Sequence, residues 1–404
     1  LGGAALTACA SLSGLSGGSD GGVDASSRVD AGHAEAGRRD STADAGSKVD
    51  ASHVDVAVRD ASDARATFAD AGSDAPCTHA EPPPPPSSTS PGDKTVSLVF
   101  ALHEFTSGFA VTSGDAGVLG FDLDEQCTCP GPPSCTSPSM APNCDLEPGG
   151  HDIAANSFVS MLDTQLAGTS GGDLNTRLSK GLFTLLVTVS QYNGGADDTG
   201  VVVAVMTSSG IAGDAGPPNW DGTDIWNVDP ASTVGPVVLG DGGAYAYTPR
   251  YFVTDAYVAN HVLVAHFRDN PLVIGLSIGT LEVGGSILMA SLTAGTAGQY
   301  TASGVIAGRF TTYSTFQLLG RLDYRADGGE HKLCGNDPIF TFLKSNTCAA
   351  TDIMGLPSQD STGQACNALS FASGIESVSA RLGPPVASTY DVAGCDGGVT
   401  DCTQ

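Results

Sequence analysis

The sequence predicts an all-β protein, mainly an antiparallel sandwich or jelly-roll-like domain with one or two short helices, preceded by a disordered tether. Three observations lead there. From residue 94 onward, short runs rich in β-branched residues alternate with clusters of Gly, Asp, Asn and Pro. Helical spacing is confined to two stretches, 152–166 and 338–354. Residues 17–76 contain no Leu, Ile, Met, Tyr or Trp, so that segment cannot bury enough apolar surface to offset its conformational entropy.

The strand expectations, in chain order, are 96–105, 182–192, 200–208, 255–267, 271–283, 286–292 and 315–324. Some alternate, as where Leu276 and Ile278 are separated by Ser277, and others are continuously apolar, as expected for strands buried on both faces. In the first helical stretch Phe158, Leu162 and Leu166 share a face and Asp152 can cap the start. Gly-rich turns between many strands, with few helices, point to sheet packed on sheet.

Charge narrows the partners. The chain of 404 residues carries 44 acidic against 17 basic residues, a net charge of -27. A phosphate backbone is engaged by clustered Lys and Arg, and no such cluster occurs, so no nucleic acid is expected. Anionic membrane surfaces are disfavoured by the same repulsion, which leaves cations, neutral glycans or basic envelope proteins. No stretch approaches the 18 consecutive apolar residues of a spanning helix, so membrane contact is expected through an anchor.

Such an anchor has a candidate. Leu6-Thr7-Ala8-Cys9 fits the bacterial lipobox, in which small residues precede a cysteine that is acylated after cleavage; otherwise Cys9 is the end of a signal peptide or an ordinary thiol. Behind it run recurrent phrases such as VDAGH and ADAGS at unequal spacing, biased low complexity rather than a solenoid repeat. Pro82 to Pro86 form a stiff spacer, and the expected boundaries are a lipobox remnant 1–9, a tether 10–93, a β-rich domain 94–390 and a short tail 391–404. Ala10 after the cysteine, in place of Asp, is similar to an outer-membrane sorting signal.

The remaining cysteines, in loop contexts such as CTCPGPPSC, read as disulfides of an oxidising compartment: Cys127, Cys129, Cys135, Cys144, Cys334, Cys348, Cys366, Cys395 and Cys402 are the candidates. If Cys9 is acylated, the other ten cysteines can form five pairs with none left over. Cys395 and Cys402 enclose DGGVTD, whose paired glycines can bend the loop, so a local bond is expected there. Zinc is disfavoured because Cys127 and Cys129 are closer than the usual ligand gap.

Carboxylates crowd around that cysteine loop: Asp122, Asp124 and Glu125 before it, Asp145, Glu147 and Asp152 after it. Calcium, which takes six to eight oxygens in irregular geometry, is the cofactor candidate, with Asp122, Asp124, Asp145 and Asp152 as ligands. Against this, Asp122 and Asp124 read equally as the solvent side of a strand and Asp152 as a helix cap. Both tryptophans fall in Asn219-Trp220-Asp221-Gly222-Thr223-Asp224-Ile225-Trp226-Asn227. Trp220, Asp221, Asp224 and Trp226 combine the aromatic faces and carboxylates that a sugar site uses, or else the rings plug a long loop.

Hydrolytic signals are weak. Gly275-Leu276-Ser277-Ile278-Gly279 matches G-x-S-x-G, but a β-like run follows where the nucleophile elbow needs a helix. His103-Glu104 lacks a second His, and His261 and His266, five apart on one expected strand, face opposite ways.

The elements GFDLDEQCTC, CDLEPGGHDIAAN, WDGTDIW, GVIAGRF and CNALSFASG resemble a group of Asp-Ala-Gly-tethered, β-rich lipoproteins of Gram-negative soil bacteria. That resemblance carries no activity and implies location and β-rich architecture only. The expected function is a surface-anchored, non-enzymatic lipoprotein of the outer membrane, facing periplasm or exterior, with a ligand-binding or structural domain. The alternative is an exported hydrolase acting on an extracellular polymer.

Overall fold

The structure is a computed structural model that describes residues 78–107, 119–129, 131–138, 143–146, 149–156, 173–213, 216–240, 243–268, 271–276, 279–326, 329–335, 337–361, 363–389 and 402. The chain divides into two compact units, Leu1–Pro76 and Cys77–Gln404, and all described residues belong to the second. Cys9 and the tether to residue 77 lie outside the described residues.

The described strands are β1 (Val96–Ser107), β2 (Thr184–Tyr192), β3 (Asp198–Ile211), β4 (Ile225–Val228), β5 (Thr233–Leu239), β6 (Tyr245–Pro249), β7 (Tyr251–Ala259), β8 (Val262–Phe267), β9 (Leu272–Leu276), β10 (Gly279–Ala294), β11 (Tyr300–Thr311), β12 (Asp323–Ala326), β13 (Gly329–Lys332), β14 (Ala368–Ser379) and β15 (Arg381–Pro385). The helices are α1 (Leu174–Ser179), α2 (Thr312–Leu319) and α3 (Pro338–Ala349).

The expectation of a mainly β, antiparallel protein holds, but three helices stand among the described residues where one or two were expected, and the sandwich or jelly roll does not hold: the strands close into an eight-stranded barrel. Its ring runs β1-β2-β3-β7-β8-β10-β11-β14 and back to β1, every pair antiparallel. Ring order is chain order, so this is an up-and-down barrel. Closure comes from the pairing of β3 with β7, whose register shifts twice between Thr199 and Val203. Local patterning cannot reveal this, because a strand at the edge of an open sheet and one paired across a seam carry the same alternation.

Alternation decides what faces in. Phe100 and Leu102 of β1, Val187 and Val189 of β2, Val203 and Val205 of β3, and Leu288 of β10 belong to one buried cluster that continues through Ile306, Phe310, Leu369 and Phe371. The Phe310 and Phe371 rings stack with centroids 4.0 Å apart. Phe316 and Leu319 of α2, Phe340 and Leu343 of α3, and Leu178 of α1 join the same cluster, so helices contribute to the filling of the barrel. An apolar interior is the reverse of a membrane-spanning porin-type barrel, whose lumen is polar. Among the described residues no helix is long and apolar enough to cross a membrane.

Alternate residues face out and carry further layers. Ala101, Leu186 and Met206 pack under Trp226 and Val228 of β4, which pairs with β3 and, in parallel, with β15. Val305, Ala307 and Ala372 pack under Phe121 and Ile153 of the cysteine-rich segment. Residues 78–93, expected to be flexible tether, instead hold to the barrel wall. Ala80 N–H donates to Gly149 O and Asp122 N–H to Ala80 O. The Tyr257 hydroxyl donates to Pro83 O, and Ser90 N–H donates to Asp197 O. A polyproline stretch has free carbonyls and little conformational entropy left to lose, which suits it to such docking.

Several local expectations change. The run 255–267 is not one strand but the β7–β8 hairpin, turned by Asn260 and His261 at φ 50 and 66. The expected strand 315–324 begins inside α2, capped by Thr311, whose side chain accepts from Ser314 N–H. The helix expected from Pro338 is α3, started by Asp337 accepting from Ile339 and Phe340 N–H. Residues 157–166 of the other expected helix lie outside the described residues. β11 and β14 went unrecognised as strands because their inward positions include Gly304, Gly308, Ser373 and Ser377 rather than a continuous apolar series.

Disulfides join Cys129 to Cys144, Cys135 to Cys366 and Cys348 to Cys402. The expected local bond of Cys395 with Cys402 is thereby overturned: α3 presents Cys348 at a Cα separation of 5.5 Å, a distance only the fold can supply. Cys127 and Cys334 are also disulfide-bonded, with partners outside the described residues. The pairing predicts that non-reducing peptide maps recover the Cys348 and Cys402 peptides as one linked species.

A second check concerns wall packing. A Cβ added to Gly304 would sit 1.9 Å from Met289 O across the β10–β11 ladder. Gly304→Ala is expected to cost about 1–3 kcal/mol through forced backbone displacement, read as a lower urea midpoint.

Candidate functional site

The cysteine-rich segment builds the first site. Residues 119–129, 143–146 and 149–156 lie on the outer faces of β11 and β14, held by the Cys129–Cys144 and Cys135–Cys366 bonds. The fold brings together the four carboxylates picked from sequence and adds a fifth, Asp352, which follows α3. Asp122, Asp124 and Asp152 are all buried, neither the solvent side of a strand nor a helix cap. Each offers one oxygen within 4.8 Å of the others. Oxygens bound to one calcium ion at 2.3–2.6 Å stand at most about 5 Å apart, so this spacing suits that ion.

Backbone amides orient the group. Leu123 N–H donates to Asp152 Oδ2 at 2.6 Å, Gln126 N–H to Asp124 Oδ1 at 2.9 Å, and Thr128 N–H to Asp145 Oδ2 at 2.6 Å. Ser370 donates its N–H to Asp352 Oδ1 at 3.0 Å and its hydroxyl to Oδ2. His79 pairs with Asp122, which raises the histidine above its ordinary pKa. His79, Asp122 and Cys127 also lie within 4.8 Å, but a disulfide sulfur offers no thiolate to a metal.

The electrostatics are those of an under-neutralised cluster. Burial pushes Asp122 up to about 6 and Asp145 and Asp352 each to about 7. Asp152 is driven well above the carboxylate range by the same cause. The charge of Asp124 reinforces all four. Fully buried Arg309 does not relieve them directly, because it is committed to Asp360 through contacts of 2.9 Å and to the carbonyls of Leu123 and Met354. Glu125 is exposed, and Glu147 lies outside the described residues. Neither His79 nor Asp352 carries a local signal: each is far in sequence from the loop it faces.

The second site is an aromatic corner. Trp220 is half-buried, its ring centroid 5.2 Å from that of Trp226 with the planes tilted by 34°; the His103 ring of β1 stands 5.5 Å from it. Trp226 is fully buried, and its indole N–H has no acceptor. Asp224 is buried too, and its carboxylate accepts from Asn219 N–H at 3.0 Å and Trp220 N–H at 2.7 Å. That clamp holds Trp220 at φ 57, a left-handed conformation costing a bulky residue roughly 1–2 kcal/mol. Asp221 is exposed and binds Thr223, which keeps its carboxyl below the usual range. Of the four residues marked from sequence, then, Asp221 faces solvent, Trp220 is half-buried against the Trp226 patch, and Trp226 and Asp224 are buried beneath them.

Among the described residues the hydrolase signals share no site. Gly275 ends in β9 and Gly279 opens β10, so the G-x-S-x-G stretch joins two strands of a hairpin, with Ser277 outside the described residues. His261 sits in the β7–β8 turn and His266 on β8. Comparison with protein-family models, with curated proteins and with solved structures gives no match.

The raised carboxyls have a pH consequence. A group whose folded pKa exceeds its unfolded value of about 3.9 stabilises fully below that value, and the stabilisation is lost as pH rises through the folded pKa. Without divalent ions the melting temperature should therefore fall between pH 4 and pH 7, as Asp122 loses its proton at about 6 and Asp145 and Asp352 at about 7. Asp352→Asn should flatten that slope in a thermal-melt series across pH, and an unchanged slope would place its origin elsewhere.

Proposed function

We propose that this chain is a lipid-anchored, non-enzymatic protein of the bacterial outer membrane, whose barrel is a display domain stabilised by calcium at the acidic cluster. The observation that carries the reading is where the barrel keeps its chemistry. Large apolar side chains occupy its interior, and the carboxylates lie buried beneath a disulfide-tied segment on the outer wall. A filled barrel does not suit a lumenal carrier. Buried carboxylates suit an ion, which is small enough to reach them, better than a polymer that must be cut.

Anchoring is supported by the lipobox-like Leu6-Thr7-Ala8-Cys9 and by the low-complexity stretch behind it. Cysteine arithmetic agrees: of eleven cysteines, six form the three bonds described and two more, Cys127 and Cys334, are bonded elsewhere. Five pairs use ten thiols and leave one for acylation. Cys9→Ala is expected to move the protein from the membrane pellet to the soluble fraction, and a variant that still pellets would end the anchoring proposal.

Calcium would relieve the repulsion that burial builds into the cluster. Binding at a hundredfold excess over Kd stabilises by about 2.7 kcal/mol, and at about 2 °C per kcal/mol in a large domain the melting point should rise by about 5 °C. Asp122→Ala with Asp124→Ala should abolish the rise, and magnesium, with its stricter octahedral demand, should give less. Equal shifts with both ions would mean general screening instead.

A further inference from the structure

We infer that the aromatic corner around Trp220 is a binding site for a neutral glycan, with His103, Asp221 and Gln299 as its other contributors. The inference rests on the display-domain reading above and gives it a ligand class. Two separate backbone irregularities meet here. The β1–β14 register shifts between Leu102 and Glu104, so His103 occupies a bulge, a device that re-aims a side chain out of its strand pattern. Trp220 is held in the left-handed region by the Asp224 clamp. Their joint result is a pair of rings 5.5 Å apart with planes at 51°, backed by a third, buried ring.

Polar groups frame the rings. Gln299, from the β10–β11 connection, donates its amide to Asp221 O at 2.6 Å. It lies against Gly222, which at φ 86 leaves room for no Cβ beside that amide. Gln299 thus ties the β10–β11 connection to the Trp220 loop. Asp221 keeps an exposed carboxylate. A pyranose presents one apolar face and a rim of hydroxyls, which is the complement of an aromatic face with acceptors at its edge. Trp220 is half-buried on the Trp226 patch, and backbone strain held at a ring that keeps part of its surface in solvent favours preorganised display. The net charge of -27 disfavours acidic polysaccharides.

Tryptophan fluorescence of the full chain tests this, because Trp220 and Trp226 are its two tryptophans and Trp226 is fully buried. Neutral hexasaccharides of the cello, xylo, laminari and chito series serve as probes, with choline as a cationic control. Expected is a saturable emission change with at least one hexasaccharide. Measured by isothermal titration calorimetry, which does not depend on the indole, affinity should fall at least tenfold in Trp220→Ala, fall measurably in His103→Ala, and stay within about threefold in Trp220→Phe, with melting temperatures unchanged in Trp220→Phe and His103→Ala. No saturable change with any hexasaccharide, a response to choline alone, or equal binding by Trp220→Ala would overturn the inference. Chromatography of the same mixtures separates the two readings: shortened oligosaccharides would sink the non-enzymatic proposal, whereas intact but unbound sugar would sink only the glycan site.

Discussion

Closure of the ring by β3 and β7 is the constraint on which the rest of the structure depends. Once these strands pair, eight strands have an inside and an outside, and each residue is assigned to one of them by parity alone. The inside takes Phe, Leu, Val and Ile and has no position for a charged group without a partner. Asp198, at the seam and fully buried, meets that demand through Lys94 at 3.1 Å. Among the described residues the acidic cluster and the aromatic corner both lie on the outer wall, where added segments can be layered without disturbing the barrel.

Two such layers matter, and they are built by different means. The acidic cluster depends on covalent ties, because the loops that carry it are rich in Gly and Pro and contribute little apolar area beyond Phe121 and Ile153. Disulfides limit the freedom of the unfolded chain and let a charged, poorly packed segment persist. The aromatic corner depends on packing: Trp226 sits among Ala101, Leu186, Met206 and Val228, and that patch fixes the loop above it. The strap from residue 78 to 93 runs past both features of the closure, touching Asp122 through His79 and Ala80 at one end and the β3–β7 seam through Thr89 and Thr199 at the other. Thr199 pairs with Tyr257, which holds Pro83, so the strap fastens the two strands that close the ring.

What the sequence determined by itself was a part of what depends on near neighbours along the chain. The strands β1, β2 and β3, the helix begun at Asp337, the oxidised cysteines and the carboxylate crowd around them all follow from local pattern, spacing and composition. What only the tertiary structure decided was every relation between distant residues. The closed barrel instead of a sandwich, Cys402 bonded to Cys348, Asp352 among the acids, and His103 and Gln299 beside Trp220 all join segments with no local mark of their meeting. The physical reason is that alternation states which face of a strand is apolar but not which strand lies beside it. Partner choice is a property of the whole packed ring, and it becomes definite only when the last pair of strands closes it.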